Sequence, residues 1–424
     1  MPLPTVVLAD YEHVKDAFIT QGDTFTYRSH RPPESLFQAI EKTGILASDG
    51  ENWRLQRRTA LKILRDFGLG KGLMEEQVKG SVEEMLEQIE QVKDKKNMDF
   101  YWPIQLCVGN VINETLFGYH FSYKNSERFE KFVSIVNDHL KLIMNKPALL
   151  MAGFPWLRHF PIVGEIGYHR IKRNIVTYQQ FIEEEVNAQA KLYKEHDEPT
   201  NFVHAYMQQM KPGSGLDIPN LYASSLDFWL AGMETTSNSL RWHIAYMMKY
   251  PEIQQKVREE ILSVVGTTRL PAMSDKPNLP YTQAVIHEVQ RHSNMIPFLG
   301  SHTCIEDTSI CGKKIPSGSL VFAQLWSVLA NDPVFDSPLQ FNPSRYLLKD
   351  QKTMNKAVLE RTIPFSVGKR ACVGEGLARM ELLLIFAALM QKYEFISSGP
   401  LDMTPQPSAV LCCPPYKVNL VKIF

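Results

Sequence analysis

The chain has 424 residues, 44% hydrophobic and 22% charged, with 46 Lys plus Arg balanced by 46 Asp plus Glu. That composition is ordinary for a folded protein, and the neutral balance gives no electrostatic reason to expect a nucleic-acid partner. Six scattered cysteines without a Cys-x-x-Cys pair or a His-rich tract speak against a disulfide framework and a zinc site, and no apolar run of about 18 residues offers a membrane span.

Residues 5–9 read as a strand and 10–20 as a short helix. Helical periodicity then predicts helices over 52–65, 73–92, 100–117 and 127–144. In the first of these, Arg54, Arg58, Lys62 and Arg65 fall on one face, the pattern of a solvated basic stripe. The stretch 146–167 breaks the period with Pro147, Pro155, Pro161 and Gly164 among Leu149, Leu150, Met151, Phe154, Trp156, Leu157 and Phe160. It is expected to be a loop, and a loop this apolar is either covered by neighbours or rests on a membrane surface. A charged helix over 168–195 and a short one over 202–210 follow. Residues 219–249 predict a helix long enough to cross a whole domain at ~1.5 Å per residue, followed by helices over 253–265 and 281–292. From 296 short strands and turns take over, and strand-like pieces return at 393–396 and 418–424. The sum is a mainly α fold with small β-sheets, and the simplest parse is one domain over 1–424.

Three constellations stand out. In the long helix, Ala231 and Thr235 lie four residues apart on one face, with Gly232 and Glu234 between them. A mid-helix threonine can bond back to the carbonyl four residues earlier, and beside Gly232 this predicts a local bulge with room for water. Glu288 and Arg291 form an i,i+3 pair, and Arg345 lies in the later run Phe341-Asn342-Pro343-Ser344-Arg345-Tyr346. Finally, Cys372 sits in a loop pinned by Gly368 and Gly374, just before a helical pattern. The helix N-terminus and Arg370 are both expected to lower the thiol pKa. Phe365 is placed to shield one side of the sulfur, and Gly374 lets the backbone approach a flat, bulky group. This suits a metal-ligating cysteine held away from water.

The spacing Phe-x-x-Gly-x-Arg-x-Cys-x-Gly, met by Phe365, Gly368, Arg370, Cys372 and Gly374, resembles the haem-binding loop of the cytochrome P-450 family. The run 231–235 is similar to that family's oxygen-activation segment, and 279–288 looks like its animal microsomal, family-2-like branch. The resemblance implies a fold with a long central helix across a haem and the cysteine loop on the proximal side. It implies haem b as cofactor, Cys372 as the iron ligand, and Glu234 and Thr235 as the route for protons, with Ala231 beside the haem. Trp53, Arg57, His302 and Arg370 would hold the haem propionates. Where relatives often carry a further propionate arginine, His30 stands between Arg28 and Arg31, and which of these substitutes is left open. Glu288, Arg291 and Arg345 would form a buried structural triad.

Substrate contacts implied by the family are Phe228, Trp229, Leu230 and Ala231, then Ile296, Pro297, Phe298 and Leu299, then 408–411. These mostly apolar walls imply a lipophilic substrate: a fatty acid, a steroid-like lipid or a xenobiotic. Leu230 stands where many relatives keep glycine or alanine, which narrows the expected pocket. The expected activity is a monooxygenase fed by NADPH-cytochrome P-450 reductase docking over Arg54, Arg58, Lys62 and Lys369, with cytochrome b5 as a further candidate donor. The resemblance also implies the cytoplasmic face of the endoplasmic reticulum, with 146–167 on the membrane. The sequence shows no counterpart of the relatives' anchor, first helix and first strand, so the strand at 5–9 is expected to carry an unpaired edge. Alternatives sharing the cysteine loop are a haem-thiolate isomerase that does not use O₂, a haem-binding sensor, and an inactive truncated isoform.

Overall fold

The computed structural model describes residues 4–30, 42–67 and 72–424. Strand β1 (Thr5–Leu8) leads to α1 (Tyr11–Lys15), whose first turn is capped by the Asp10 carboxylate on the His13 N–H, and the helix widens into a π turn over Asp16–Thr20. The expected helices follow as α2 (Gly50–Asp66), α3 (Gly72–Gln91), α4 (Tyr101–Phe117) and α5 (Glu127–Leu142). Gly118, at φ +75°, ends α4 in the left-handed conformation that glycine tolerates best.

The stretch expected to be a loop is helical instead. It forms α6 (Lys146–Gly153), a 3₁₀ turn (Pro155–His159), α7 (Pro161–Gly164) and a π turn (Glu165–His169) that runs into α8 (Arg170–Leu192). Each proline occupies a first turn, where its missing N–H and fixed φ cost nothing. Asn145 completes the start of α6 by accepting the Ala148 N–H at 2.7 Å.

After α9 (Phe202–Gln209) comes the dominant element, α10 (Ile218–Lys249), 32 residues in one unbroken helix, ~48 Å at the standard rise. Asp217 caps it through the Asn220 N–H, and Pro219 sits in its first turn. Helices α11 (Pro251–Val265) and α12 (Pro280–Ser293) follow; α12 stops at Asn294 in the left-handed region. Then come the short strands β2 (His302–Thr303), β3 (Thr308–Ile310), β4 (Lys313–Ile315) and β5 (Leu320–Ala323), helices α13 (Leu325–Asn331), α14 (Lys356–Arg361) and α15 (Glu375–Lys392), and the hairpin of β6 (Tyr393–Ser397) with β7 (Val418–Lys422). One sheet has the order β1-β5-β2: β1 runs parallel to β5 from Thr5↔Leu320 to Leu8↔Ala323, and β2 is antiparallel with His302 opposite Val321. Among the described residues, strand β1 therefore lies at an edge of that sheet.

The core lies where α4, α10 and α15 meet. A Cβ on Gly232 would fall 2.5 Å from Ile112 Cδ1, so this glycine lets α4 press against α10. The expected bulge is absent for that reason: the space beside Gly232 is filled by Ile112, and α10 stays regular through the segment. Glu288 is 0% exposed and takes Arg291 in a two-pronged pair at 2.7 and 2.9 Å, Arg345 Nε at 3.2 Å and the Asn342 N–H at 2.9 Å. Arg291 also donates to the Leu329 and Pro338 carbonyls. This buried cluster ties α12 to the chain that approaches the cysteine loop.

Candidate active site

The loop before α15 is built from tight turns. Ser366 (φ +64°) and Gly368 (φ +77°) reverse the chain, the Ala371 N–H reaches the Gly368 carbonyl at 3.1 Å, and the Cys372 N–H reaches the Phe365 carbonyl at 2.9 Å. A Cβ on Gly368 would lie 1.8 Å from the Phe18 carbonyl oxygen, so only glycine lets this loop seat on the end of the first helical segment. The Phe365 ring lies under the Arg379 guanidinium (4.8 Å), and Arg379 holds Glu375 at 2.8 Å, which clamps the loop to the first turn of α15.

Cys372 is open to solvent although it sits deep among protein atoms, the signature of a residue lining a recess. Burial pushes its thiol pKa up; the N–H groups of Gly374 and Glu375 and the Arg57 charge pull it down, and burial wins. The expectation that the helix N-terminus and Arg370 would lower it is thus corrected twice. Desolvation outweighs the helix N–H groups, and the nearby cation is Arg57, because Arg370 is turned elsewhere. A thiolate that the protein stabilises only in part suits a sulfur completed by a metal cation. A Cβ on Gly374 would meet nothing within 4 Å, leaving open space beside the sulfur.

Arg370 donates to the Thr26, Ile45 and Ser48 carbonyls at 2.8, 3.0 and 2.6 Å and stacks 4.1 Å over the Trp53 ring. Arg57 reaches the Ala371 carbonyl at 2.7 Å. Arg28 donates to the Gly300, Ser301 and Leu46 carbonyls, placed there by the pairing of Tyr27 with Thr303. Imidazole Nδ1 of His302 bonds the Phe25 carbonyl, and its ring stacks on Phe18 at 4.2 Å. Burial, then the charges of Arg28 and Arg57, lower the Arg370 pKa to about 8, with Asp49 opposing. Burial and the same kind of charge, from Arg28 and Arg370, bring His302 to about 3, so it is neutral at neutral pH. Trp53 Nε1 is buried without a hydrogen-bond partner. Three guanidiniums and an orphan indole N–H therefore converge beside the cysteine recess, a donor set for carboxylates. Of the three residues the sequence left open, Arg28 lies in this cluster, His30 pairs with Asp49 at 2.7 Å, and Arg31 lies outside the described residues.

On α10, Thr235 Oγ1 donates back to the Ala231 carbonyl at 2.5 Å, as its position suggested. Ala231 is exposed and Phe228, Leu230, Gly232 and Thr235 are half-buried in a helix otherwise largely enclosed, so this face opens on a cleft. Thr236 lies close to Glu381, six residues into α15 and hence ~9 Å along it from the residues that follow Cys372. The long helix α10 and the helix that follows the cysteine loop thus pack against each other. Glu234 is buried, accepts from Gln105 Nε2 at 3.2 Å, and is pushed up to about 7 by burial against the opposing pull of Gln105, Arg241 and Lys141. Sequence reading missed Glu381, a fully buried carboxyl raised well above its ordinary value by desolvation; inside an apolar helical pattern it gave no signal of its own.

The walls converge as well. The Leu411 N–H bonds the Met295 carbonyl at 2.7 Å, while Asn238 and Trp242 of α10 bond the Leu411 carbonyl at 3.0 and 3.3 Å. Ile296, Pro297 and Leu299 are half-buried and Phe298 is exposed beside them. Trp229 departs from expectation: it is fully buried against Phe132 (4.3 Å) and Phe129 (5.9 Å), since it lies about 200° around the helix from Ala231. It belongs to the core and does not line the cleft. A residue not anticipated is Leu46, 50% exposed on the segment next to Arg28 and Arg370.

A flat iron tetrapyrrole bearing two carboxylates fits this arrangement: open sulfur, room beside Gly374, and guanidinium donors at one rim. The family model described as Cytochrome P450 matches residues 1–420. Among curated relatives, the chain is 35% identical to human cytochrome P450 2U1 over 92% of this chain and 71% of that protein. It is 33% identical to rat cytochrome P450 2G1 over 94% and 80%, and 34% identical to rabbit cytochrome P450 2B4 over 99% and 85%.

Proposed function

The chain belongs to the cytochrome P450 family, a haem monooxygenase with haem b as its cofactor, and from that premise we propose that it inserts one atom of O₂ into a lipophilic substrate, a fatty acid, steroid-like lipid or xenobiotic, with electrons from NADPH through a flavoprotein reductase. The whole chain, 1–424, acts as one catalytic domain. The observation that carries this reading is the open Cys372 sulfur beside the cluster of Arg28, Arg57 and Arg370.

In this reading Cys372 ligates the iron, while Trp53, Arg57, His302, Arg370 and Arg28 bind the two carboxylates. When bound, the haem supplies dioxygen activation and the transfer of one oxygen atom. Glu234, with its carboxyl near neutrality, holds and releases a proton beside Thr235, whose hydroxyl faces the open side of α10. Phe228, Leu230, Ile296, Phe298 and Leu299, joined by Leu46, exclude water and orient the apolar substrate. That buried acid beside Thr235 also favours an oxygenase over a haem-thiolate isomerase, which needs no proton relay.

Arg58 and Lys62 are exposed on α2, whereas Arg54 pairs with Glu51 and Asp23, and Lys369 with Asp23. The two exposed cations, near the thiolate side, offer an acidic reductase its strongest footing, and cytochrome b5 would compete for the same ground. No helix among the described residues is long and apolar enough to cross a membrane. The segment from α6 to α7 exposes Leu149, Leu150, Phe154, Trp156 (57%), Phe160 and Ile162 (76%), which suits shallow insertion into the cytoplasmic face of the endoplasmic reticulum. A reduced carbon-monoxide difference spectrum tests the central assignment. A strongly red-shifted Soret band is expected, Cys372→Ser should lose it, and a wild type without that band would refute thiolate ligation.

A further inference from the structure

The segment 44–48 is suspended between a carboxylate on one side and two guanidiniums on the other. From α10, the Asp227 carboxylate accepts the Ile45 N–H at 2.6 Å and the Leu46 N–H at 2.9 Å, and Asn220 Oδ1 accepts the Gly44 N–H at 3.1 Å. On the opposite side Arg370 donates to the carbonyls of Ile45 (3.0 Å) and Ser48 (2.6 Å), and Arg28 donates to that of Leu46. The Ile45 carbonyl and the Leu46 N–H belong to one peptide group. That peptide is therefore held by an anion at its N–H end and by a cation at its oxygen end, an arrangement in which each hydrogen bond polarises the other. Gly44 (φ +70°) makes the approach possible, since a Cβ there would lie 2.5 Å from Asp227 Oδ2.

We propose that Asp227 is a positioning residue for haem binding: through the Ile45–Leu46 peptide its carboxylate fixes the strap 44–48 and, with it, Arg370 and Arg28. This rests on the haem reading above and adds to it a residue that touches neither haem nor substrate. A little of the Asp227 side chain reaches solvent, yet its carboxyl is packed among protein atoms, and desolvation raises it to about 7 against the pull of the two N–H bonds. Among the described residues, the other titratable group that faces it is the Tyr178 phenol of α8, itself raised by burial and by the Asp227 charge. The strap's own face toward the cysteine loop presents Arg28 and Arg370. Above pH 7 the ionised carboxylate makes the strong form of both bonds, and below it the neutral acid makes the weak form.

The test is haem transfer from the holoenzyme to an excess of an apo-globin acceptor at pH 6 and pH 8. Wild type should lose haem about fivefold faster at pH 6, the difference between a charged and a neutral acceptor. Asp227→Asn should show the faster rate at both pH values, and Asp227→Glu should restore part of the step. A step of unchanged size in Asp227→Asn, or no step in wild type, overturns the proposal. Amide hydrogen exchange over 42–49 in the wild-type chain needs no variant: corrected for intrinsic rates, protection should fall below pH 7, and pH-independent protection also overturns it. A chain that never shows the thiolate band would count against the haem reading alone, while the exchange measurement still decides the strap.

Discussion

At the scale of single residues, Glu234 and the pair Trp229 and Leu230 make the sharpest predictions. The Glu234 carboxyl holds its proton to about pH 7, against 4.5 for an ordinary glutamate. The folded chain binds that proton more tightly than the unfolded one, so this group costs stability as pH rises from 4.5 to about 7, by roughly 3 kcal/mol at full ionisation. Glu234→Gln should flatten that part of the stability–pH profile in urea unfolding and slow turnover by about a hundredfold; a variant with wild-type turnover would remove Glu234 from the proton route. Trp229 and Leu230 are sequence neighbours with opposite fates. Trp229→Ala should cost about 3–5 kcal/mol by emptying an aromatic core, whereas Leu230→Ala should leave stability nearly intact and admit bulkier substrates, read as a change in binding preference. The motif spacing made Cys372, Arg370, Trp53 and Arg57 legible because each is fixed by its place in a short pattern. Arg28 was legible only as one of three open candidates and Glu381 not at all, because what brings Arg28 to the cysteine loop and Glu381 near Thr236 is contact between distant segments.

Elements were easier to read than their ends. Long periodic helices such as α4, α10 and α12 emerged near their observed limits, since burial of one face or of the whole circumference writes itself into the sequence. The exception was 146–167, where prolines read as breakers are in fact starters of short helical turns. The regularity of α10 at Gly232 was equally hidden, because Ile112 reaches it from α4. Gly232→Ala should therefore push the Ile112 side chain out of its place, so that the melting temperature fails to rise although alanine is the better helix former. The Glu288 cluster gives a larger effect: Glu288→Ala would strand two buried guanidiniums and should cost about 3–5 kcal/mol, measured by denaturant unfolding, with reduced haem content in the expressed protein.

Across the whole molecule, the two faces proposed as docking surfaces are separable by experiment. Reversing charge at Arg58 and Lys62 should slow flavin-driven reduction, increasingly so at low salt, while leaving carbon-monoxide binding unchanged; reduction at the wild-type rate would discard the footprint. Replacing Trp156 and Ile162 by serine should weaken binding to phospholipid vesicles without altering the haem spectrum, because both side chains are already largely in solvent.

The cysteine loop and its cationic partners come from opposite ends of the chain. Arg370 is 344 residues from Thr26 and 322 from Ser48, and Arg57 is 314 from Ala371. During synthesis Arg28, Trp53 and Arg57 leave the ribosome long before the Cys372 thiol. With Cys372 as the proposed iron ligand, the complete set of haem-holding groups exists only once nearly the entire polypeptide is made, so stable loading of the tetrapyrrole follows synthesis rather than accompanying it.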